Sequence, residues 1–115
     1  MTPNLKPADP LSQVVFIHDY IQLVFQEESF SLFNAAEILH QGASLRQGQA
    51  GFCDALVSLI DQHVTTVSTA PPYKLALTFE GGSCLRLLAD QEIVCGAEAF
   101  EFHGRNNLWV IEQNT

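Results

Sequence analysis

Positive charge is scarce in this sequence. Its 115 residues include 5 Lys and Arg against 13 Asp and Glu, a formal net charge of -8, and only 16% of the chain is charged. A general nucleic-acid binder needs Lys and Arg to displace phosphate counterions, so that class is excluded. Cysteine is equally sparse. Cys53, Cys84 and Cys95 are odd in number and show no C-x-x-C spacing, which fits free thiols in a reducing compartment and makes the cytoplasm the expected location. Apolar runs such as Val14–Val15–Phe16–Ile17 fall far below the roughly 18 residues that cross a bilayer, and no membrane partner is expected. Residues 1–12 carry three prolines and no apolar stretch of the kind found in a secretory leader. No Walker or dinucleotide fingerprint occurs. Gly48-x-x-Gly51 has the letters of a backbone-clamping RNA loop, but only Arg46 is basic nearby.

Apolar residues are what the chain does have, at 47%. That content excludes disorder over most of the length, and 115 residues suffice for one domain able to bury roughly two-thirds of its unfolded surface. We place that domain at 13–115. The segment 1–12 is expected to be a flexible arm, because Pro3, Pro7 and Pro10 withhold amide donors from any strand ladder.

Period-2 alternation dominates the rest. Ile21-x-Leu23-x-Phe25 reads as a half-buried strand, and Leu75-x-Leu77-x-Phe79 repeats it. Phe30-Ser31-Leu32-Phe33 then matches Leu85-Arg86-Leu87-Leu88, and Glu37-Ile38-Leu39 matches Glu92-Ile93-Val94. Val14–Ile17 pairs with Val64–Val67 upstream. The pattern predicts a pseudo-repeat, 13–40 and 63–95, of two related three-stranded meanders that must share an apolar face to be stable. Amphipathic strands also match one another by coincidence.

Between the halves, Phe52, Ala55, Leu56, Leu59 and Ile60 follow helical spacing, so one amphipathic helix is predicted over about 49–61. Ser44-x-x-Gln47 has capping-box letters and offers an earlier start. A C-terminal hairpin is expected from Ala97–His103 and Leu108–Glu112 around Gly104-Arg105-Asn106-Asn107, with Phe100 and Phe102 on one face and Glu101 and His103 on the other. The expected class is α+β, dominated by antiparallel strands.

The second half resembles a family of small uncharacterised bacterial domains, often duplicated. The residues carrying the likeness are Leu59-Ile60-x-x-x-Val64-Thr65-x-Val67, Leu75-x-Leu77-x-Phe79-x-Gly81-Gly82-x-x-Leu85-x-Leu87 and Glu98-Ala99-Phe100-Glu101-Phe102. Where those proteins commonly have Gly before the Val–Thr strand this chain has Asp61 or Gln62, and Phe100 stands where they often have Trp. The resemblance implies architecture and carries over no activity.

Residues with chemical potential are dispersed. His18, His40, His63 and His103 lack the spacing that presents ligands on one face, so no metal or other cofactor is expected. Cys53 reads as a packing residue near the helix start. Gly81-Gly82-Ser83 lacks the final glycine of a nucleophile elbow, and no catalytic residue is assigned. Acids instead come in basic-free groups: Asp19, Glu27, Glu28 and Glu37, then Asp90, Glu92, Glu98 and Glu101. They read either as solvated rims or as a surface for a basic partner. Glu37, Glu92, Glu98, Glu101 and His103 are the candidate binding residues, Glu37 and Glu92 being equivalent if the halves are related. The apolar strand 14–17 calls for cover on both faces, by its own domain, by a homodimer or by a partner subunit.

The expected function is a non-enzymatic binding module with an acidic surface, of inhibitor or immunity type. The alternative is a small-ligand or metal-dependent enzyme with Cys53, His63, Glu101 and His103 converging between helix and strands.

Overall fold

Alternating side chains need two apolar faces to meet, and the chain supplies both from itself. A computed structural model describes residues 4–89 and 98–114. Its strands in chain order are β1 (Gln13–Ile17), β2 (Tyr20–Phe25), β3 (Glu28–Leu32), β4 (Ala36–His40), β5 (Ala43–Arg46), β6 (Val64–Ser68), β7 (Leu75–Phe79), β8 (Cys84–Leu87), β9 (Glu98–His103) and β10 (Trp109–Gln113). One short helix, α1 (Phe52–Val57), lies between β5 and β6. The strands form two antiparallel five-stranded sheets, ordered β1-β2-β3-β9-β10 and β5-β4-β8-β7-β6.

One apolar cluster joins the sheets. Ile21, Leu23, Phe25, Phe30, Leu32, Phe100 and Phe102 come from the first; Ala36, Ile38, Leu75, Leu77, Phe79, Leu85 and Leu87 come from the second. Phe30 is a focus of the packing, with ring centroids of Phe25, Phe100 and Phe102 at 6.3, 6.0 and 4.7 Å. The predicted alternation therefore sets which side of each strand is dry.

The two sheets have matching registers. Ile21 faces Leu32 and Leu23 faces Phe30 across β2–β3; Leu75 faces Leu87 and Leu77 faces Leu85 across β7–β8. The hairpins that follow are exchanged. The β4–β5 hairpin leaves the first sheet and adds to β8, whereas β9–β10 leaves the second and adds to β3. Glu37 then stands opposite Arg86, and Glu101 stands opposite Ser31 at the corresponding place in the other sheet. By strand position the counterpart of Glu37 is thus Glu101. Glu92, paired with Glu37 in the sequence, lies outside the described residues.

Local chemistry shortens the helix relative to 49–61. Gly51, at φ 92°, turns the chain into α1, and after Val57 the bonds tighten, with Leu59 N–H donating to Leu56 O (3.1 Å) and Ile60 N–H to Val57 O (3.1 Å). The buried stripe nevertheless continues through Phe52, Ala55, Leu56 and Leu59. Ser44 belongs to β5 and caps nothing, and Gln47 uses its Oε1 to accept the Ala36 N–H (3.0 Å).

Residues 4–12 add no strand, as their prolines require, yet they lie against the body. Leu5 and Leu11 belong to the core cluster. Leu11 N–H donates to Gln62 O (2.9 Å), and Asp61 N–H donates to Leu11 O (2.8 Å). Proline withholds its own amide but leaves neighbouring leucines free to fill a gap. Strand 14–17 is not sandwiched within the chain; β1 is an edge strand with Phe16 47% and Ile17 38% exposed. Among the described residues, no helix is long and apolar enough to cross a membrane.

Candidate interaction surface

Burying Phe100 and Phe102 forces Glu101 and His103 to the outer face of β9. The hairpin register then sets Trp109 beside His103 and Ile111 beside Glu101. Two asparagines in left-handed conformation, Asn106 (φ 60°) and Asn107 (φ 64°), turn the chain between the strands. On this face the His103 and Trp109 rings stack at 5.1 Å between centroids and 29° between planes. Glu101 Oε2 lies 3.6 Å from His103 Nε2. Trp109 is 59% and Ile111 41% exposed, so a mostly uncovered aromatic borders a carboxylate and an imidazole.

Glu98 completes the acidic part. Desolvation, followed by a hydrogen bond shared with Glu101 and the like charge of that carboxylate, pushes the Glu98 carboxyl above its ordinary value. Among the described residues, no Lys or Arg forms an ion pair with Glu98, Glu101 or Glu112. The arginines are engaged elsewhere. Arg105 lies 2.5 Å from Asp9 and 3.6 Å from both Glu27 and Glu28, tying the first residues to two turns of the first sheet.

Glu37 has a different setting. On the other sheet, Arg46 Nε lies 3.4 Å from its Oε2 and Arg86 Nη1 3.6 Å from its Oε1. Arg86 also donates to the Tyr73 hydroxyl and lies over that ring, 4.9 Å from the centroid. Glu37 is a neutralised ion-pair residue there. Of the five candidates, the structure brings together Glu98, Glu101 and His103, places Glu37 apart, and does not describe Glu92.

Trp109 and Ile111 were not among the sequence candidates. The signal was present in the hairpin itself: once Phe100 and Phe102 face inward, a tight turn fixes Trp109 outward beside His103.

The residues named for an enzyme pocket are separated. Cys53 is exposed on α1, His63 Nδ1 lies 3.6 Å from Glu80 Oε1, and Glu101 and His103 occupy the outer face of the first sheet. Apolar side chains fill the space under α1. Among the described residues, no group of three or more His, Cys, Asp or Glu could hold a metal ion. Ser83 Oγ and His40 Nδ1 are hydrogen-bonded at 2.8 Å, in a turn where Gly82 (φ 96°) donates its N–H to Phe79 O (2.9 Å). No family model matches this chain, and no curated protein or solved structure shows significant similarity to it.

Proposed function

We propose that the chain is a non-enzymatic, cytoplasmic binding module whose β9–β10 ribbon docks a basic protein, as an inhibitor or immunity-type subunit would. The supporting observation is the exposed Trp109 stacked on His103 beside carboxylates that have no Lys or Arg partner. A large rigid ring supplies contact area at small entropic cost, and carboxylates not neutralised by Lys or Arg speed encounter with a positive surface. Binding at low ionic strength to immobilised basic proteins from a native lysate tests the reading. Retention should fall as salt is raised, and Trp109→Ala or the double change Glu98→Gln with Glu101→Gln should abolish it while the fold persists. Retention indifferent to both changes would refute the assignment to this ribbon.

We also infer that the domain arose by duplication of a three-stranded meander and its following hairpin. The matched registers of β2–β3 and β7–β8, together with the reciprocal exchange of hairpins, support that origin, as does the resemblance to duplicated bacterial β domains.

A further inference from the structure

Among the described residues the two sheets have four edge strands, and three of these carry features that discourage further pairing. On β10 the register shifts between Glu112 and Gln113. On β6 it shifts between Val64 and Thr66. Four-residue β5 ends on Arg46. The fourth edge, β1, has none of these. Its five residues, Gln-Val-Val-Phe-Ile, keep an unbroken register with β2 and include no charge, proline or glycine. Phe16 and Ile17 are exposed, and α1, with its exposed Val57, packs against the same strand. Alternate residues of β1 direct their backbone N–H and C=O groups away from β2.

We propose that β1 pairs antiparallel with β1 of a second copy of this chain, joining the two first sheets into one continuous sheet. A twofold axis through Val15 places Val15 opposite Val15 of the partner subunit, Val14 opposite Phe16 of the partner subunit, and Gln13 opposite Ile17 of the partner subunit. Each chain carries a net charge of -8, so most of its surface repels another copy. Pairing through β1 brings together strands that bear no charge themselves. The two Asp19 residues, in the turns just beyond the strand ends, then lie about 20 Å apart along the paired strands, roughly six residues at the strand rise. A basic partner would find no acid in this strand, which favours self-pairing. The site occupies the edge of the sheet opposite β10 and is independent of the proposed basic partner.

Sedimentation equilibrium of the full chain, from low to high micromolar, tests the pairing. The unaltered chain should form dimers. Val15→Lys places like charges directly opposite each other and should weaken association about tenfold or more, with an unchanged circular-dichroism spectrum. Ile17→Glu should weaken it too, and adding Gln13→Lys should restore it by setting Lys against Glu across the axis. This last pair of variants decides the matter even if Val15→Lys fails to fold. A monomer at every concentration overturns the proposal and leaves the edge to a different protein. Dimers that survive the single changes, or a double variant that fails to recover, overturn the pairing as drawn.

Discussion

Trp109 and His103 stack 5.1 Å apart on adjacent strands, directly across the turn that joins them. This pair holds the chain's one tryptophan in a defined pose on a sheet otherwise kept in place by buried phenylalanines. Pre-positioning of this kind lowers the ordering cost when a partner closes over the ring.

His103→Ala should therefore release the ring without unfolding the domain. The expected result is a lower steady-state fluorescence anisotropy of Trp109 and a stability loss of about 0.5–1 kcal/mol, the low end for an aromatic pair in an exposed setting. Unchanged anisotropy would mean that Ile111 and the strand alone hold the ring.

Glu98 gives a pH dependence of definite sign. Its carboxyl is raised above its ordinary value of 4.5 in the folded protein by desolvation and by Glu101. The folded state therefore holds this proton more tightly than the unfolded chain does. The resulting stability is present below 4.5 and is lost as pH rises through the raised folded value. Glu98→Gln imitates the protonated form, so it should raise Tm at neutral pH and lose that advantage in acid. Thermal melts at both pH values check this. A variant no more stable at pH 7 than the parent would show that Glu98 and Glu101 do not repel each other.

Much of the fold was legible because period-2 patterns depend only on near neighbours. Ile21-x-Leu23-x-Phe25 and Leu75-x-Leu77-x-Phe79 declare their inward faces without reference to the rest of the chain, and Phe100-x-Phe102 does the same. The hairpin exchange was not legible. Alternation records which side of a strand is dry and says nothing about the strand beside it, so the pairings β3–β9 and β4–β8 cannot be read locally. That gap hid the setting of Glu37, whose partner Arg86 comes from β8. It also hid the correspondence of Glu37 with Glu101. Glu101 and His103 could be placed on one strand face from the sequence. The exposure of Trp109 depended on its strand forming the outer edge.

Glu37 should behave as a stability residue. Only 12% of its side chain is exposed, and it faces two arginines. Glu37→Ala leaves Arg86 partly buried without its carboxylate and should cost about 1–2 kcal/mol. Arg46→Ala, at the 60% exposed end of the cluster, should cost less than about 0.5 kcal/mol. Chemical denaturation of both variants measures the difference, and neither should alter retention of a basic partner. Loss of that binding in a folded Glu37→Ala protein would transfer the interaction surface to the second sheet.

Leu11 tests whether the proline-punctuated beginning of the chain is part of the folded unit. Its side chain is fully buried, and its backbone exchanges hydrogen bonds with Asp61 and Gln62 just after α1. Leu11→Ala should open a cavity under the end of the helix and destabilise the domain by about 2–4 kcal/mol. A freely moving arm would contribute nothing. Limited proteolysis separates the two cases independently of stability, because the amides of Leu11 and Asp61 are held in bonds that must break before cleavage. In the unaltered chain cleavage within 8–12 should be slow, and in Leu11→Ala it should accelerate together with cleavage after α1. Rapid trimming of the unaltered chain up to β1 with no fall in Tm would detach this segment from the core.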